Sequence, residues 1–101
     1  MSDLEWLQNW YAEMCDGDWE HLYGVSIETL DNPGWHVRID LRETAYATAE
    51  LSPIHSDNGP TDWLNCSISN HIFDGCGDSS KLSSILATFR ACIENHQIQF
   101  K

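Results

Sequence analysis

Apolar residues recur at helical spacing near the start of the chain: Leu4, Leu7, Trp10, Tyr11 and Met14 define one stripe, with Trp6 at its flank one turn from Trp10. Ser2-Asp3-Leu4-Glu5 has the spacing of a capping box, in which a serine hydroxyl and a glutamate three residues on satisfy each other's backbone amides. The pattern predicts a helix that starts here and stops at Gly17. From Leu22 to Leu30 the period falls to two, with Tyr23, Val25, Ile27 and Thr29 on one side and Gly24, Ser26 and Glu28 on the other. That predicts a strand with one wet face. Asp31-Asn32-Pro33-Gly34 is a turn signal, Pro presetting the bend and Gly supplying a positive φ. On the return limb Trp35, Val37, Ile39 and Leu41 alternate with His36, Arg38 and Asp40, completing a hairpin.

The stretch from Arg42 to Ile54 is less regular; Thr and Tyr favour extension and Ala opposes it, and it is read as a third strand. Ser56-Asp57-Asn58-Gly59-Pro60 is a loop by composition, and Trp63, Leu64, Cys66 and Ile68 mark a fourth strand. Phe73-Asp74-Gly75-Cys76-Gly77-Asp78 is punctuated by glycine and reads as a turn ending in an N-cap. Leu82, Ile85, Leu86, Phe89, Cys92 and Ile93 then form the stripe of a second long helix. The order is N-terminal helix, antiparallel sheet of about four strands, C-terminal helix: an α+β fold, with residues 1–101 as a single domain.

Charge narrows the functional classes. Sixteen Asp and Glu stand against 5 Lys and Arg, a formal net charge of −11, while 42% apolar and 11% aromatic residues are too many for a disordered acidic tail. A chain without clustered Lys and Arg is not built to grip phosphate backbones or anionic membranes. No apolar run approaches the ~20 residues of a membrane span, and the start of the chain lacks the basic segment of a signal peptide. The expected setting is cytoplasmic, with Cys15, Cys66, Cys76 and Cys92 reduced; no pair of them has CxxC spacing. Eight carboxylates, Asp3, Glu5, Glu13, Asp16, Asp18, Glu20, Glu28 and Asp31, precede the first basic residue, Arg38. A one-signed third of a chain is either a solvated face or a surface for a basic partner.

The densest group of chemistry-bearing side chains is Cys15-Asp16-Gly17-Asp18-Trp19-Glu20-His21. On an extended backbone Asp16, Asp18 and Glu20 would aim to one side, where they suit a basic surface or, with His21, a cation. A calcium loop starting at Asp16 would need Gly sixth and Glu twelfth; the chain has His21 and Ile27. The simpler account is a polar helix-to-strand connection. Trp19 lies between carboxylates and Trp6 at a stripe's edge, so both are harder to assign to a core than Trp10 and Trp35, and both fit a partner anchor. The candidate binding residues are therefore Asp16, Asp18, Trp19 and Glu20, with Trp6 and Glu13 as neighbours. The enzyme alternative is a thiol-dependent sulfurtransferase or redox protein using Cys76 or Cys15; Cys76 precedes a helix, but Asp74 and Asp78 oppose its ionisation. Gly75-Cys76-Gly77 lacks the remaining residues of a phosphate loop, and His21, His36, His55, His71 and His96 show no HxxxH spacing. Neither a catalytic residue nor a cofactor or metal is expected.

The run Trp6-Leu7-Gln8-Asn9-Trp10-Tyr11, then Cys15 to His21, Tyr23-Gly24, Ile27 to Trp35 and Ile39-Asp40-Leu41, resembles the immunity protein 53 family of bacterial polymorphic toxin systems. Asp62-Trp63, Cys66, Phe73, Gly75, Gly77-Asp78, Leu82, Ile85-Leu86 and Phe89 continue the resemblance, whereas Arg42 to Pro60 shows little of it. The resemblance implies a cytoplasmic antidote that binds and blocks a cognate toxin without catalysis. Many such toxins act on nucleic acids and carry basic grooves, which an acidic antidote would fill partly as a charge mimic of phosphate.

Overall fold

In the computed structural model, which describes the backbone of residues 1–99 and side chains as far as His96, the first helix forms where the capping signal puts it. Helix α1 (Asp3–Met14) is closed at its start by Ser2, whose hydroxyl accepts from the Glu5 amide at 3.1 Å while the Glu5 carboxylate accepts from the Ser2 amide at 3.3 Å. A short helix α2 (Trp19–Leu22) follows, then strands β1 (Val25–Leu30), β2 (Gly34–Asp40), β3 (Leu51–Asp57), β4 (Trp63–Ser69) and β5 (Ile72–Asp78), and helix α3 (Leu82–Gln99). The class is α+β, as expected, but the sheet has five strands rather than four.

All pairings are antiparallel, in the order β1-β2-β5-β4-β3, so β5 lies at the centre with β1 and β3 at the edges. Helix α3 lies across β5 and β4, and α1 packs beside it. The core fills the space between this layer and the sheet: Val37, Ile39, Phe73 and Cys66 from strands meet Ile85, Phe89 and Ile93 from α3, and Leu7 and Trp10 from α1. The Phe89 ring is the hub, 5.0 Å from the rings of both Trp10 and Phe73. The opposite face of the sheet bears the other half of each alternation, His36 and Arg38 on β2, Asn65 and Ser67 on β4, Asp74 and Cys76 on β5.

The largest departure from the expected elements is β5 itself, whose residues read as a turn. Its glycines are there for packing. A Cβ on Gly75 would stand 2.5 Å from Ile85 Cγ2, and one on Gly77 2.5 Å from Lys81 Cβ, so the helix can approach the central strand only because these side chains are missing. The real turn is Asn70-His71, both at positive φ (54° and 68°), the requirement of a tight two-residue hairpin; Asn meets it at modest cost. Gly34 likewise does not take a positive φ: it is glycine because a Cβ would lie 2.5 Å from the Gly77 carbonyl oxygen on the neighbouring strand. Residues 42–50 form consecutive turns instead of the start of a strand, and β3 begins only at Leu51. Leu22 belongs to α2, so the first strand starts three residues later than expected.

Asp78 is not the N-cap of α3. It is a buried carboxylate, 2% exposed, that ties three segments together. It accepts from the Trp63 amide (2.8 Å), the Ser80 amide (2.8 Å) and hydroxyl (2.6 Å), and from Lys81 Nζ (2.7 Å). Lys81 also reaches Asp62 at 2.9 Å. The Lys81 ammonium and these donors hold the Asp78 carboxyl far below its ordinary range.

Candidate functional site

The segment from Asp16 to His21 does not run extended. Asp16 Oδ1 accepts from the amides of Asp18 and Trp19, both at 2.9 Å, and the Glu20 carboxylate turns back onto the amides of Asp16 (2.9 Å) and Gly17 (2.9 and 3.1 Å). The two carboxylates fold the loop and start α2, a reciprocal arrangement close in logic to a capping box. The amides of Trp19 and Asp18 lower the Asp16 pKa, and the Glu20 carboxyl is lowered by its own amide with those of Asp16 and Gly17, against a cost of burial. The expectation that Asp16, Asp18 and Glu20 aim to one side from an extended backbone is thereby corrected: Asp16 and Glu20 face their own loop, and Asp18 is the one whose side chain makes no capping bond.

Trp19 is also corrected as an exposed anchor. It is 1% exposed, its ring 5.9 Å from Trp10 edge-on and 5.8 Å from Tyr11, and it pins the acidic loop to α1 from beneath. Trp6 is half-buried on the other flank of α1, edge-on to Phe89 at 5.9 Å with the Arg90 guanidinium 5.8 Å from its ring. Glu13 is exposed near the end of α1. The fold thus keeps Glu13, Asp16 and Asp18 on the surface around one helix end and turns both tryptophans inward.

What periodicity missed is a groove beside this loop. Leu4 and Tyr11, assigned to the buried stripe, are 54% and 39% exposed, and with Leu7 and Gln8 they form one wall. Tyr23, Gly24, Val25 and Ile27 of the edge strand and its approach form the other, and Glu20 closes the end, enclosing about 360 Å³. Leu22, 68% exposed, stands on the neighbouring turn of α2. The helical period allots Leu4 and Tyr11 to one apolar arc, but α1 leans on α3, so the arc's far side is left open toward β1.

Ion pairs are placed elsewhere. Arg42 pairs with Asp40, Lys81 with Asp62 and Asp78, and Arg90 with Asp3 and Glu94. Among the described residues none of the ion pairs involves Glu13, Asp16, Asp18 or Glu20, while His21 acts electrostatically on Glu20 and the Arg42 guanidinium lies 4.9 Å from the ring of Tyr23 on the groove wall. The cation reading of that loop finds no support: among the described residues the one group of three donors within mutual reach is His36, Asp74 and Cys76, on β2 and β5. The cysteines are free thiols. Burial, then the charge of Asp74, pushes the Cys76 thiol up, and burial pushes Cys66 up to about 11; neither environment makes a nucleophile.

The family described as Immunity protein 53 matches residues 4–94, spanning α1, the acidic loop, the whole sheet and most of α3. The chain belongs to the immunity protein 53 family. No curated protein and no solved structure matches it. Membership makes this an immunity protein directed against a toxin, with a cognate toxin protein as its partner. In this immunity protein, no described helix is long and apolar enough to cross a membrane.

Proposed function

We propose that this immunity protein neutralises its toxin by direct binding, with the groove between α1 and β1 as the apolar centre of the contact and Glu13, Asp16 and Asp18 as its acidic rim. The observation that carries the reading is the coincidence of exposed Leu4, Tyr11 and Ile27 with the carboxylates Glu13, Asp16 and Asp18, which enter no ion pair among the described residues. Apolar side chains supply burial energy at the centre of an interface, and unpaired charge at the rim steers the encounter. The partner surface is accordingly basic, and where the toxin works on nucleic acid the carboxylates stand in for phosphate. Glu20 and Trp19 act indirectly, by shaping and supporting the loop; Trp6 fixes α1 against α3. Four free cysteines suit the reducing cytoplasm of the toxin-producing cell as the place of encounter.

The test uses the cognate toxin domain in binding and neutralisation assays. Glu13→Lys with Asp18→Lys reverses the rim while sparing the carboxylates that fold the loop. Affinity should fall by at least tenfold and the salt dependence of binding should weaken. Tyr11→Ala should weaken binding separately, at the groove. Full neutralisation by both variants, with unchanged salt dependence, would refute the placement.

A further inference from the structure

The open face of the sheet carries a donor set separate from the groove. Pairing of β2 with β5 puts His36 directly across from Cys76, and the β-strand alternation puts Asp74 on the same face two residues from Cys76. His36 Nε2 lies 3.0 Å from Asp74 Oδ1, and the Cys76 thiol donates to the same oxygen at 3.7 Å. The three donor atoms all fall within 4.8 Å of one another. The side chains are neither sealed in nor fully solvated: His36 is 24% and Asp74 46% exposed.

Geometry and chemistry agree on what would fit. Tetrahedral zinc holds N, O and S donors at about 2.0–2.3 Å, which places neighbouring donors roughly 3.3–3.8 Å apart. The 3.7 Å distance falls inside that range, the 3.0 Å distance just below it, and the third pair needs to close by no more than about 1 Å, within side-chain rotation. The donors stand on two interior strands, each hydrogen-bonded on both sides, and Val37, Phe73 and Gly75 lock the reverse face of the same strands into the core. A rigid platform of this kind holds ligands better than a loop does. One imidazole, one carboxylate and one thiol make a borderline-soft set, suited to Zn²⁺ and poorly suited to Mg²⁺ or Ca²⁺, which take oxygen donors.

We propose that His36, Asp74 and Cys76 bind a Zn²⁺-class ion through Nε2, a carboxylate oxygen and Sγ, leaving a fourth position open on the face of the sheet away from the helices. Binding replaces the thiol S–H by a metal–sulfur bond and releases that proton to solvent. The spacing 36, 74 and 76 has no recognisable ligand motif in sequence; only the β2–β5 register assembles it.

The reduced full chain titrated with Co²⁺ as a spectroscopic probe tests the site. One equivalent should produce a thiolate-to-cobalt charge-transfer band in the near ultraviolet, and Zn²⁺ should displace it. Cys76→Ser should abolish the band and weaken Zn²⁺ binding by at least ~100-fold, since loss of merely outer partners of a metal site costs up to about that. Single serine variants of Cys15, Cys66 and Cys92 should keep it. Should Cys76→Ser fail to fold, Asp74→Asn, which preserves shape on the open face, should still weaken binding at least tenfold. No band at excess Co²⁺, or a band that survives in Cys76→Ser, or affinity untouched by Asp74→Asn, would overturn the site. The readout does not depend on the toxin, so failure here leaves the groove assignment standing, and the reverse.

Discussion

β5 shows the helix layer Phe73, Gly75 and Gly77 on one side, and carries Asp74 and Cys76 on the other. On the covered side every position answers to a neighbour: Phe73 fills the core against Phe89, and the glycines admit Ile85 and Lys81 at distances that no side chain would permit. On the open side no packing constraint demands an aspartate or a cysteine, and the row Glu28, His36, Cys76, Asn65 and His55, directly opposed across all five strands, is polar or titratable throughout. Side chains chosen by packing tell how the chain folds. Side chains free of packing are where binding chemistry has room, and the same division separates buried Trp19 from the carboxylates around it.

The largest effect should come from the covered side. Trp19→Ala removes a ring enclosed by Trp10 and Tyr11 and should cost about 3–5 kcal/mol in chemical denaturation. A tryptophan acting as a surface anchor would instead leave stability nearly unchanged and weaken toxin binding alone, so the two measurements together decide which side of the division it belongs to. Gly75→Ala comes next: the added Cβ meets Ile85 Cγ2 at 2.5 Å and the Phe73 ring at 3.1 Å, and overpacking of this kind costs about 1–3 kcal/mol. Were Gly75 the turn residue that its neighbours in sequence suggest, relaxation around an exposed loop would keep the loss far smaller.

These two residues also show what was legible in the chain and what was not. Both long helices could be read because their signals are local: Ser2 and Glu5 cap within one turn, and Leu82 to Ile93 repeat at the helical period. The first hairpin was legible for the same reason. Gly75 and Gly77 misled because glycine has one letter for two physical roles, bending the chain and letting another segment come close, and the second depends on α3, which lies elsewhere in sequence. Asn70-His71 carries no glycine, so its turn went unseen. Period two at Asp16, Asp18 and Glu20 imitates a strand, whereas the decisive feature was Glu20 four residues after Asp16, its carboxylate closing on the Asp16 and Gly17 amides while Asp16 closes on those of Asp18 and Trp19. The groove and the His36, Asp74, Cys76 group depend on how elements lean and pair, which no linear spacing records.

Between the large packing effects and the open face lies Asp78, a charge buried at the end of β5. Its folded pKa is lowered from 3.8, chiefly by Lys81 and then by the Ser80 hydroxyl. A depressed carboxylate contributes stability that is fully present above the unfolded value and is lost as pH falls through the folded one. Asp78→Asn should therefore lower Tm most at neutral pH, and the gap from the parent chain should narrow steadily as pH drops below 3.8. Thermal melts across pH 2–7 measure this directly. A gap independent of pH would mean that Asp78 acts through shape and hydrogen-bond count, with its charge irrelevant.

The smallest effect on folding should be at His36, and its smallness is informative. The imidazole touches Asp74 on the open face and supports nothing in the core, so His36→Ala in metal-free buffer should change stability by no more than about 0.5 kcal/mol. A half-exposed pair of this type contributes little, because solvent screens it and the side chains lose freedom in forming it. Added Zn²⁺ should then raise the Tm of the parent chain and leave His36→Ala behind, since a ligand that binds only the folded state stabilises in proportion to its occupancy. A loss of several kcal/mol without metal would place His36 among the packing residues and dissolve the distinction between the two faces; a small loss that widens with Zn²⁺ would tie the open face to binding rather than to folding.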